Sequence, residues 1–165
     1  MRFWIILDGS DYFKIMKKLS VLFAILVFAQ IAFSQSNYDI YGNARFGYSI
    51  SYPTSLKPQG EAENGDGQVF KNADAELRVW GSNNALMRTL KEEYQSALKD
   101  FGVGLTYKTL LKNGFVISGK KGGKIFYQKT FLKDDQFFTF TFEYKESKKS
   151  VYDSITTKIA KSFKI

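Results

Sequence analysis

Lysine is the residue type with the clearest chemical potential in this sequence. Nine lysines recur at short spacings near the end of the chain, and they are Lys120, Lys121, Lys124, Lys145, Lys148, Lys149, Lys158, Lys161 and Lys164. Clustered ammonium groups attract anionic polymers, anionic lipids and acidic proteins. We interpret the nine as a candidate surface for an anion or a partner, with a solvated face of turns and helix as the alternative.

Histidine and cysteine are both absent from the chain. It therefore has no disulfide framework, no thiol nucleophile, no Ser-His-Asp triad and no Cys/His zinc site. The carboxylates at 92–93 and at 134–135 are neighbours in the sequence. Neighbouring side chains on a helix point apart, as at 92–93, and two aspartates in a turn, as at 134–135, are common. Neither pair is therefore expected to act as an acid and a base. We predict no catalytic residue, no cofactor and no metal ligand. The enzymatic alternative is a hydrolase that uses only carboxylates.

Two further motifs resemble binding sites without matching them. Glu61, Glu63 and Asp66 share a loop, but their spacing differs from that of an EF-hand calcium site. Residues 119–124 read Gly-Lys-Lys-Gly-Gly-Lys, but Ile125 stands where a P-loop has Ser or Thr. We predict a solvated turn for the first motif. The second is interpreted as a basic hairpin turn that could bind an anion weakly.

Trp80 is the one aromatic side chain that we select as a candidate interface residue. It follows Leu77 and Val79 in an alternating segment and therefore lies on the outer face of a predicted strand. Because helices cover the faces of a layered sheet, we expect Trp80 to pack under a helix. The alternative is that Trp80 anchors a protein interface, where tryptophan is over-represented.

The first change in composition marks a predicted targeting segment at residues 16–34. A basic start is followed by an apolar stretch and by an Ala-Phe-Ser sequence that suits a signal peptidase. The apolar stretch is shorter than the roughly 20 residues of a membrane-spanning helix. We predict a Sec signal peptide over 16–34, a non-native extension over 1–15 and a single domain over 35–165. The domain would be exported to the periplasm or secreted, with no membrane span after cleavage.

The charge is uneven along the predicted domain. The whole chain carries a formal charge of +8, and removal of residues 1–34 takes away four basic and two acidic side chains, which leaves +6. Residues 35–100 have a net charge of −2, whereas residues 101–165 have a net charge of +8. This asymmetry favours attraction of an acidic partner to the C-terminal half.

The first half of the predicted domain contains strands and one loop. Residues 45–52 carry an aromatic or apolar side chain at every second position, which predicts a strand that Pro53 ends. Residues 57–67 predict a polar loop, because turn-forming residues dominate them. Residues 68–71 and 75–81 predict a hairpin.

A helix is predicted after this hairpin. Its apolar stripe has spacings of three and four residues and consists of Leu86, Leu90, Tyr94, Ala97, Leu98 and Phe101. Asn83 or Asn84 can cap the start of the helix, and Gly102 follows its end.

The last third of the chain is predicted to be rich in strands. The predicted strands are residues 105–111, 115–119, 124–132 and 136–144. A short turn at 133–135 joins the last two, and a helix begins at about residue 148. Its predicted apolar stripe is Val151, Ile155, Ile159 and Phe163. The fold class is therefore α+β, with an antiparallel sheet of about six to seven strands between helices.

With these elements in place, the chain resembles the PsbP-like α/β/α sandwich family, and in particular small exported bacterial members. The residues that carry the resemblance are 46–53, 64–67 followed by Phe70, and 75–81, together with the order of the elements. The resemblance implies a non-catalytic accessory role, often by docking on a larger partner such as a photosystem or a Ran GTPase. It implies no metal site here, because the sites of plant members use histidine.

These features lead to a hypothesis about function. We expect an exported, non-catalytic accessory domain that binds a protein partner in the cell envelope. The alternative is a module that binds an anionic polymer or a lipid surface through its basic C-terminal half. Nucleic acid is not an expected partner, because an exported protein seldom meets it and the chain has no RNA-binding signature.

Overall fold

A computed structural model of the protein describes residues 37–165. The predicted extension at 1–15 and the predicted signal peptide at 16–34 lie outside the described residues. The strands are β1 (Tyr38–Asn43), β2 (Tyr48–Pro53), β3 (Lys57–Glu61), β4 (Gly67–Lys71), β5 (Ala75–Asn83), β6 (Leu105–Leu110), β7 (Gly114–Lys121), β8 (Lys124–Lys133) and β9 (Gln136–Lys145). The helices of this part of the chain are α1 (Leu90–Phe101) and α2 (Lys149–Ser162), with a 3-10 turn at Glu146–Lys148.

Seven of these strands form one antiparallel sheet in the order β3-β4-β5-β9-β8-β7-β6. The strands β5 and β9 pair over nine positions, from Ala75 opposite Tyr144 to Asn83 opposite Gln136. This pairing joins the first half of the chain to the last third and places β9 at the centre of the sheet. The structure confirms the predicted α+β class and the size of the sheet.

One face of the sheet, here called the α2 face, carries the larger apolar core. The side chains that fill it include Leu77, Val79, Phe140 and Phe142 from the central strands, all buried. Helix α2 and the separate two-stranded sheet of β1 and β2 cover this face. The chain end is tied to β2 by paired backbone hydrogen bonds of 3.0 and 2.9 Å between Ser49 and Lys164.

The opposite face, here called the α1 face, carries a smaller core. Phe115, Ile117 and Phe126 from β7 and β8 are buried there against the apolar stripe of α1. Phe126 lies between Ile125 and Tyr127, which both belong to the core of the α2 face. Neighbouring residues in a strand point to opposite faces, so apolar side chains of β8 must be covered on both faces of the sheet. The strand predicted at residues 124–132 therefore carries apolar groups on both of its faces.

Two strands were not predicted from the sequence. Residues 57–61 were predicted as part of a polar loop, but they form the edge strand β3, whose five side chains are all exposed. Strand β1 was not predicted either, and it pairs with β2 outside the main sheet. Neither strand shows a clean apolar alternation, because β3 lies at an edge and β1 has only one neighbour.

The start of the first helix was predicted one turn too early. Leu86 is 72% exposed, and α1 begins at Leu90. Thr89 is the N-cap, and its hydroxyl accepts from the backbone N–H of Glu92 at 3.2 Å while the Glu92 carboxylate accepts from the Thr89 N–H at 2.8 Å. Asn84 instead braces the preceding loop through two hydrogen bonds with the backbone of Arg88. Gly102 is confirmed as the C-cap.

Replacement of Thr89 by alanine should lower the stability of the protein by about 1 kcal/mol, the usual loss for an N-cap hydroxyl. The reason is that the first turn of α1 loses one side of its capping box, which leaves a backbone N–H without its partner. Urea unfolding of the two proteins measures the difference. Thr89→Ser is the matched control and should stay close to wild type, and an equal loss in both variants would contradict the capping role.

The second helix also differs from the predicted stripe by a small rotation. Val151 is 52% exposed, whereas Tyr152 and Thr156 are buried together with Ile159. The Tyr152 hydroxyl lies 3.1 Å from the Asn72 amide of the β4–β5 turn, which draws this side of the helix toward the sheet. Within residues 37–165, neither helix has the length and apolar character needed to cross a membrane.

Candidate functional site

Five of the nine candidate lysines come together at one end of the sheet. This end is formed by the β7–β8 turn, the end of β9 and the 3-10 turn after it, and the lysines are Lys120, Lys121, Lys124, Lys145 and Lys148. The strand register makes Lys124 the neighbour of Lys121 on one side and of Lys145 on the other. We call this group the basic end. The pairing of strands thus brings together lysines that are separated in the sequence.

Carboxylates accompany most lysines of the basic end. Lys120 pairs with Glu146, and Lys124 Nζ lies 3.4 Å from a carboxylate oxygen of Glu143. Lys145 and Lys148 share Asp74, with N···O distances of 2.8 and 3.8 Å. The hydrogen bond from the Lys145 ammonium holds the pKa of Asp74 below its usual range. The end is therefore a mixed-charge surface instead of a field of free ammonium groups.

The remaining four lysines lie on or after α2 and do not form one patch. Lys149 pairs with Asp153 one turn along the helix. Lys158 Nζ lies 5.1 Å from the centre of the Tyr38 ring, next to β1, whereas Lys161 lines a cleft on the other side of the helix. Lys164 is tied to β2 through its backbone. The nine lysines are therefore distributed over several surfaces.

Trp80 lies on the α1 face but away from α1. It pairs with Thr139 of β9 and with Gly67 of β4, on the half of the sheet opposite to β6 and β7. Within the described chain it belongs to neither apolar cluster, so the expected cover by a helix is not observed. With Val69 and Arg78 it lines a shallow depression of about 210 Å³. The Trp80 side chain is half-buried there.

A larger cleft, which sequence reasoning missed, opens on the α2 face. It has a volume of about 550 Å³ and lies between α2 and strands β7 and β8. The side chains that line it are Ser118, Tyr127, Lys129, Tyr144, Asp153, Thr156, Thr157, Ala160 and Lys161. We call it the α2 cleft. Only Lys161 of these residues was among the predicted site residues.

Lys129 is the unusual residue of the α2 cleft. It lies on the same strand face as Tyr127 and Phe131, and its Nζ donates to the carbonyl of Ala160 in the last turn of α2 at 2.9 Å. Burial lowers the pKa of this ammonium. A single lysine between two aromatic residues of one strand face was the signal in the sequence that could have identified the site.

The tyrosines of the α2 cleft keep their protons far above neutral pH. Burial raises the pKa of Tyr127 to about 12. Burial and a 2.7 Å hydrogen bond to Asp153 raise the pKa of Tyr144 to about 12 as well. Burial acts against the charge of Asp153, but the hydrogen bonds from Lys149 and Tyr144 outweigh it and hold that pKa below its usual range. The Tyr127 and Tyr144 hydroxyls therefore remain hydrogen-bond donors, and Asp153 is an ionised, partnered carboxylate.

Two of the acidic residues considered in the sequence, Glu61 and Asp66, have structural partners. Glu61 accepts from the Tyr41 hydroxyl at 2.7 Å and from the Asn43 amide at 3.0 Å, and Asp66 accepts from the Asn64 amide. Among residues 37–165, no three acidic side chains lie close enough together to share a metal ion. Asp134 and Asp135 have φ values of 50° and 58° and form the tight β8–β9 turn.

Comparison with solved structures relates this architecture to a known fold. No family model matches the sequence, and no curated protein matches it either. The structure is similar to the solution structure of cyanobacterial PsbP (CyanoP) from Synechocystis sp. PCC 6803, with a TM-score of 0.57. The fold is PsbP-like.

The similarity to the cyanobacterial structure extends over most of both chains. The superposition covers 81% of this chain and 95% of the cyanobacterial chain, at 14% sequence identity. At that identity the comparison establishes the shared fold and does not transfer individual residues.

Proposed function

We propose that the protein is an exported, non-catalytic accessory domain that binds a protein partner in the cell envelope. The PsbP-like fold agrees with an accessory role of this kind. Export rests on the predicted signal peptide at residues 16–34. The partner surface that we propose is the Trp80 depression, formed by Val69, Arg78 and Trp80, since neither helix of residues 37–165 covers the α1 face of the sheet there.

One observation carries the proposal. Helix α1 packs on β6, β7 and β8, so within residues 37–165 the α1 face over β4 and β5 presents Val69, Arg78 and Trp80 outside both apolar cores. Tryptophan and arginine are the residues most enriched among those that dominate the energy of protein interfaces. A half-buried tryptophan also loses little rotamer freedom when a partner covers it, which lowers the entropic cost of binding.

The ion pairs of the basic end favour the Trp80 depression over the lysines as the surface that binds a partner. An exposed ion pair leaves little net field at a distance, because its opposite charges largely cancel and dissolved salt screens the remainder over a Debye length of about 8 Å. Four lysines of the basic end are paired in this way with Asp74, Glu143 or Glu146. Binding of an anionic polymer or a lipid surface remains the alternative, supported by the net charge of +8 over residues 101–165.

The test is site-specific photo-crosslinking in the native host. The full chain, with a photoreactive amino acid at position 80, is irradiated in cells, and the envelope fraction is analysed by mass spectrometry. We expect one discrete protein adduct from position 80 and none from position 40, where Ile40 is 71% exposed on β1. Trp80→Ala should release the same partner from affinity capture at physiological salt, whereas Ile40→Ala should retain it.

Two outcomes would contradict the proposal. An adduct that forms equally from positions 40 and 80 would show that the crosslinked protein meets this domain by random collision and not through an interface at Trp80. Retention of only anionic polymer or lipid, lost as salt rises past about 0.15 M, would favour the alternative, because screening weakens binding carried by exposed lysines.

A further inference from the structure

We propose that the α2 cleft binds a small organic acid, with a carboxylate held by Lys129, Lys161 and Tyr127 and an apolar body against the cleft wall. This inference goes beyond the proposed function and does not depend on it. The cleft lies on the α2 face, whereas the Trp80 depression lies on the α1 face. Its volume of about 550 Å³ is within the range of sites that hold small molecules.

The charges of the α2 cleft favour an anion. Among residues 37–165, Asp153 is the one carboxylate that lines the cleft, and it already pairs with Lys149 and accepts from Tyr144. Within the described part of the chain, neither Lys129 nor Lys161 forms a salt bridge. Two ammonium groups therefore line the cleft without a counter-charge from residues 37–165.

The ammonium of Lys129 is fixed in the cleft and has hydrogen-bond donors left for an anion. Its ammonium has three donors, and the bond to the Ala160 carbonyl uses one of them. The ammonium also lies 4.7 Å from the centre of the Phe131 ring, so its stem and head are fixed against the sheet. A charge that has lost part of its water gains more from a carboxylate than an exposed lysine does, because the local dielectric is lower.

Tyr127 supplies a third donor. Among residues 37–165 its hydroxyl has no hydrogen-bond partner, and no polar side-chain atom of this region is both buried and unsatisfied, so the hydroxyl is open to the cleft. A phenol that keeps its proton at neutral pH donates to an anionic oxygen and repels no charge. Two ammonium groups and one hydroxyl match the several lone pairs of a carboxylate.

The apolar part of the ligand follows from the rest of the lining. The Tyr127 ring is stacked on Phe140 at a centroid distance of 5.6 Å, which makes a rigid wall. Ala160, Thr156 and Thr157 line the cleft on the α2 side, and the two threonine hydroxyls donate within the helix, to the carbonyls of Tyr152 at 2.8 Å and Asp153 at 3.2 Å. These groups offer no charge to a second anionic group, so a monocarboxylate with a ring or a short alkyl chain fits better than a polyanion.

The test uses protein purified after expression of the full chain, titrated with benzoate and followed by two-dimensional NMR. Benzyl alcohol, which has the same ring without the charge, and inorganic phosphate, which has charge without a ring, are the comparison ligands. We expect saturable shifts with benzoate at millimolar or lower concentration, centred on the residues of the cleft. The two comparison ligands should bind at least about tenfold more weakly, since each lacks one of the two features.

Three variants link the binding to the proposed residues. Lys161→Gln and Lys129→Gln should each weaken benzoate binding about tenfold or more, as expected for a charge-assisted hydrogen bond. Tyr127→Phe should weaken it about threefold, as expected for a neutral one. Lys161 is a residue of α2 outside both apolar cores, so its variant tests the site even if Lys129→Gln disturbs the helix end.

Lys108→Gln is the matched control, because Lys108 is exposed and pairs with Ile117 on the α1 face. It should bind benzoate like the wild-type protein. Equal loss in Lys108→Gln and Lys161→Gln would show general charge attraction and overturn the proposal. Equal binding of benzyl alcohol, or no saturable binding of benzoate, would also overturn it.

Discussion

Replacement of Phe140 by aspartate should unfold the protein. Phe140 is fully buried at the centre of β9, the middle strand of the sheet, with the Phe163 ring at 5.2 Å and the Tyr127 ring at 5.6 Å. Loss of a buried phenylalanine costs about 3 to 5 kcal/mol. An unpaired buried carboxylate costs several kcal/mol more. The sum approaches the whole free energy of unfolding of a small domain, about 5 to 15 kcal/mol.

Circular dichroism and solubility after expression of the full chain measure this outcome. Val103→Asp is the matched control, because Val103 is 90% exposed, and this variant should fold like the wild-type protein. Ile155→Asp should lie between the two, since Ile155 is only partly buried against the core. A Phe140→Asp protein that melts like wild type would mean that the register of β9 is wrong.

Replacement of Gly104 by alanine should also lower the stability of the fold strongly, although less than Phe140→Asp. The residue has a φ of +103°, and an added Cβ would lie 2.0 Å from the carbonyl oxygen of Lys120. Neither the backbone carbonyl nor the Gly104 backbone can move freely, because the Lys120 N–H donates to the Gly104 carbonyl at 2.8 Å. Overpacking and backbone strain together should cost roughly 4 kcal/mol.

Urea unfolding measures this loss of stability. Gly42→Ala is the control, because no atom lies within 4 Å of its added Cβ and its φ is not in the left-handed region. Gly119→Ala should resemble Gly104→Ala, since its Cβ would lie 2.2 Å from the Gly104 carbonyl oxygen. If Gly104→Ala and Gly42→Ala unfold at the same urea concentration, the backbone of Gly104 approaches Lys120 less closely than the structure indicates.

The two proposed surfaces lie on opposite faces of one sheet. Val79 and Tyr127 point to the α2 face, and Trp80, next to Val79 in β5, points to the α1 face. A protein partner at Trp80 and a small acid in the α2 cleft would therefore not compete for the same surface. Their variants are also independent, because Trp80→Ala and Lys161→Gln change residues on different faces.

Strands that cross the interior of the sheet were predictable because their own residues carry the pattern. In β9, apolar side chains at every second position are buried on the α2 face, and Phe137 is buried on the other face. Edge and outlying strands were not predictable in this way. Lys57–Glu61 has five exposed side chains, and only its pairing with β4 makes it a strand.

The surfaces were less predictable than the strands. The sequence shows a lysine-rich C-terminal half, but the partner of Lys145 is Asp74, which is 71 positions away along the chain. Lys129 was not selected, since it becomes a site residue only when α2 places Ala160 and Lys161 opposite it. Trp80 was predicted to lie on the outer face of β5, and the structure shows that α1 does not reach it.

By itself, the sequence determined the α+β class, the central strands, the turn at 133–135 and the absence of histidine and cysteine chemistry, because these depend on neighbouring residues or on composition. Tertiary structure alone decided which lysines form ion pairs, which part of the described sheet α1 does not cover and how the α2 cleft forms. The physical reason is range: alternation and turn preference act over a few residues, whereas ion pairs and clefts join groups brought together by strand register and helix packing.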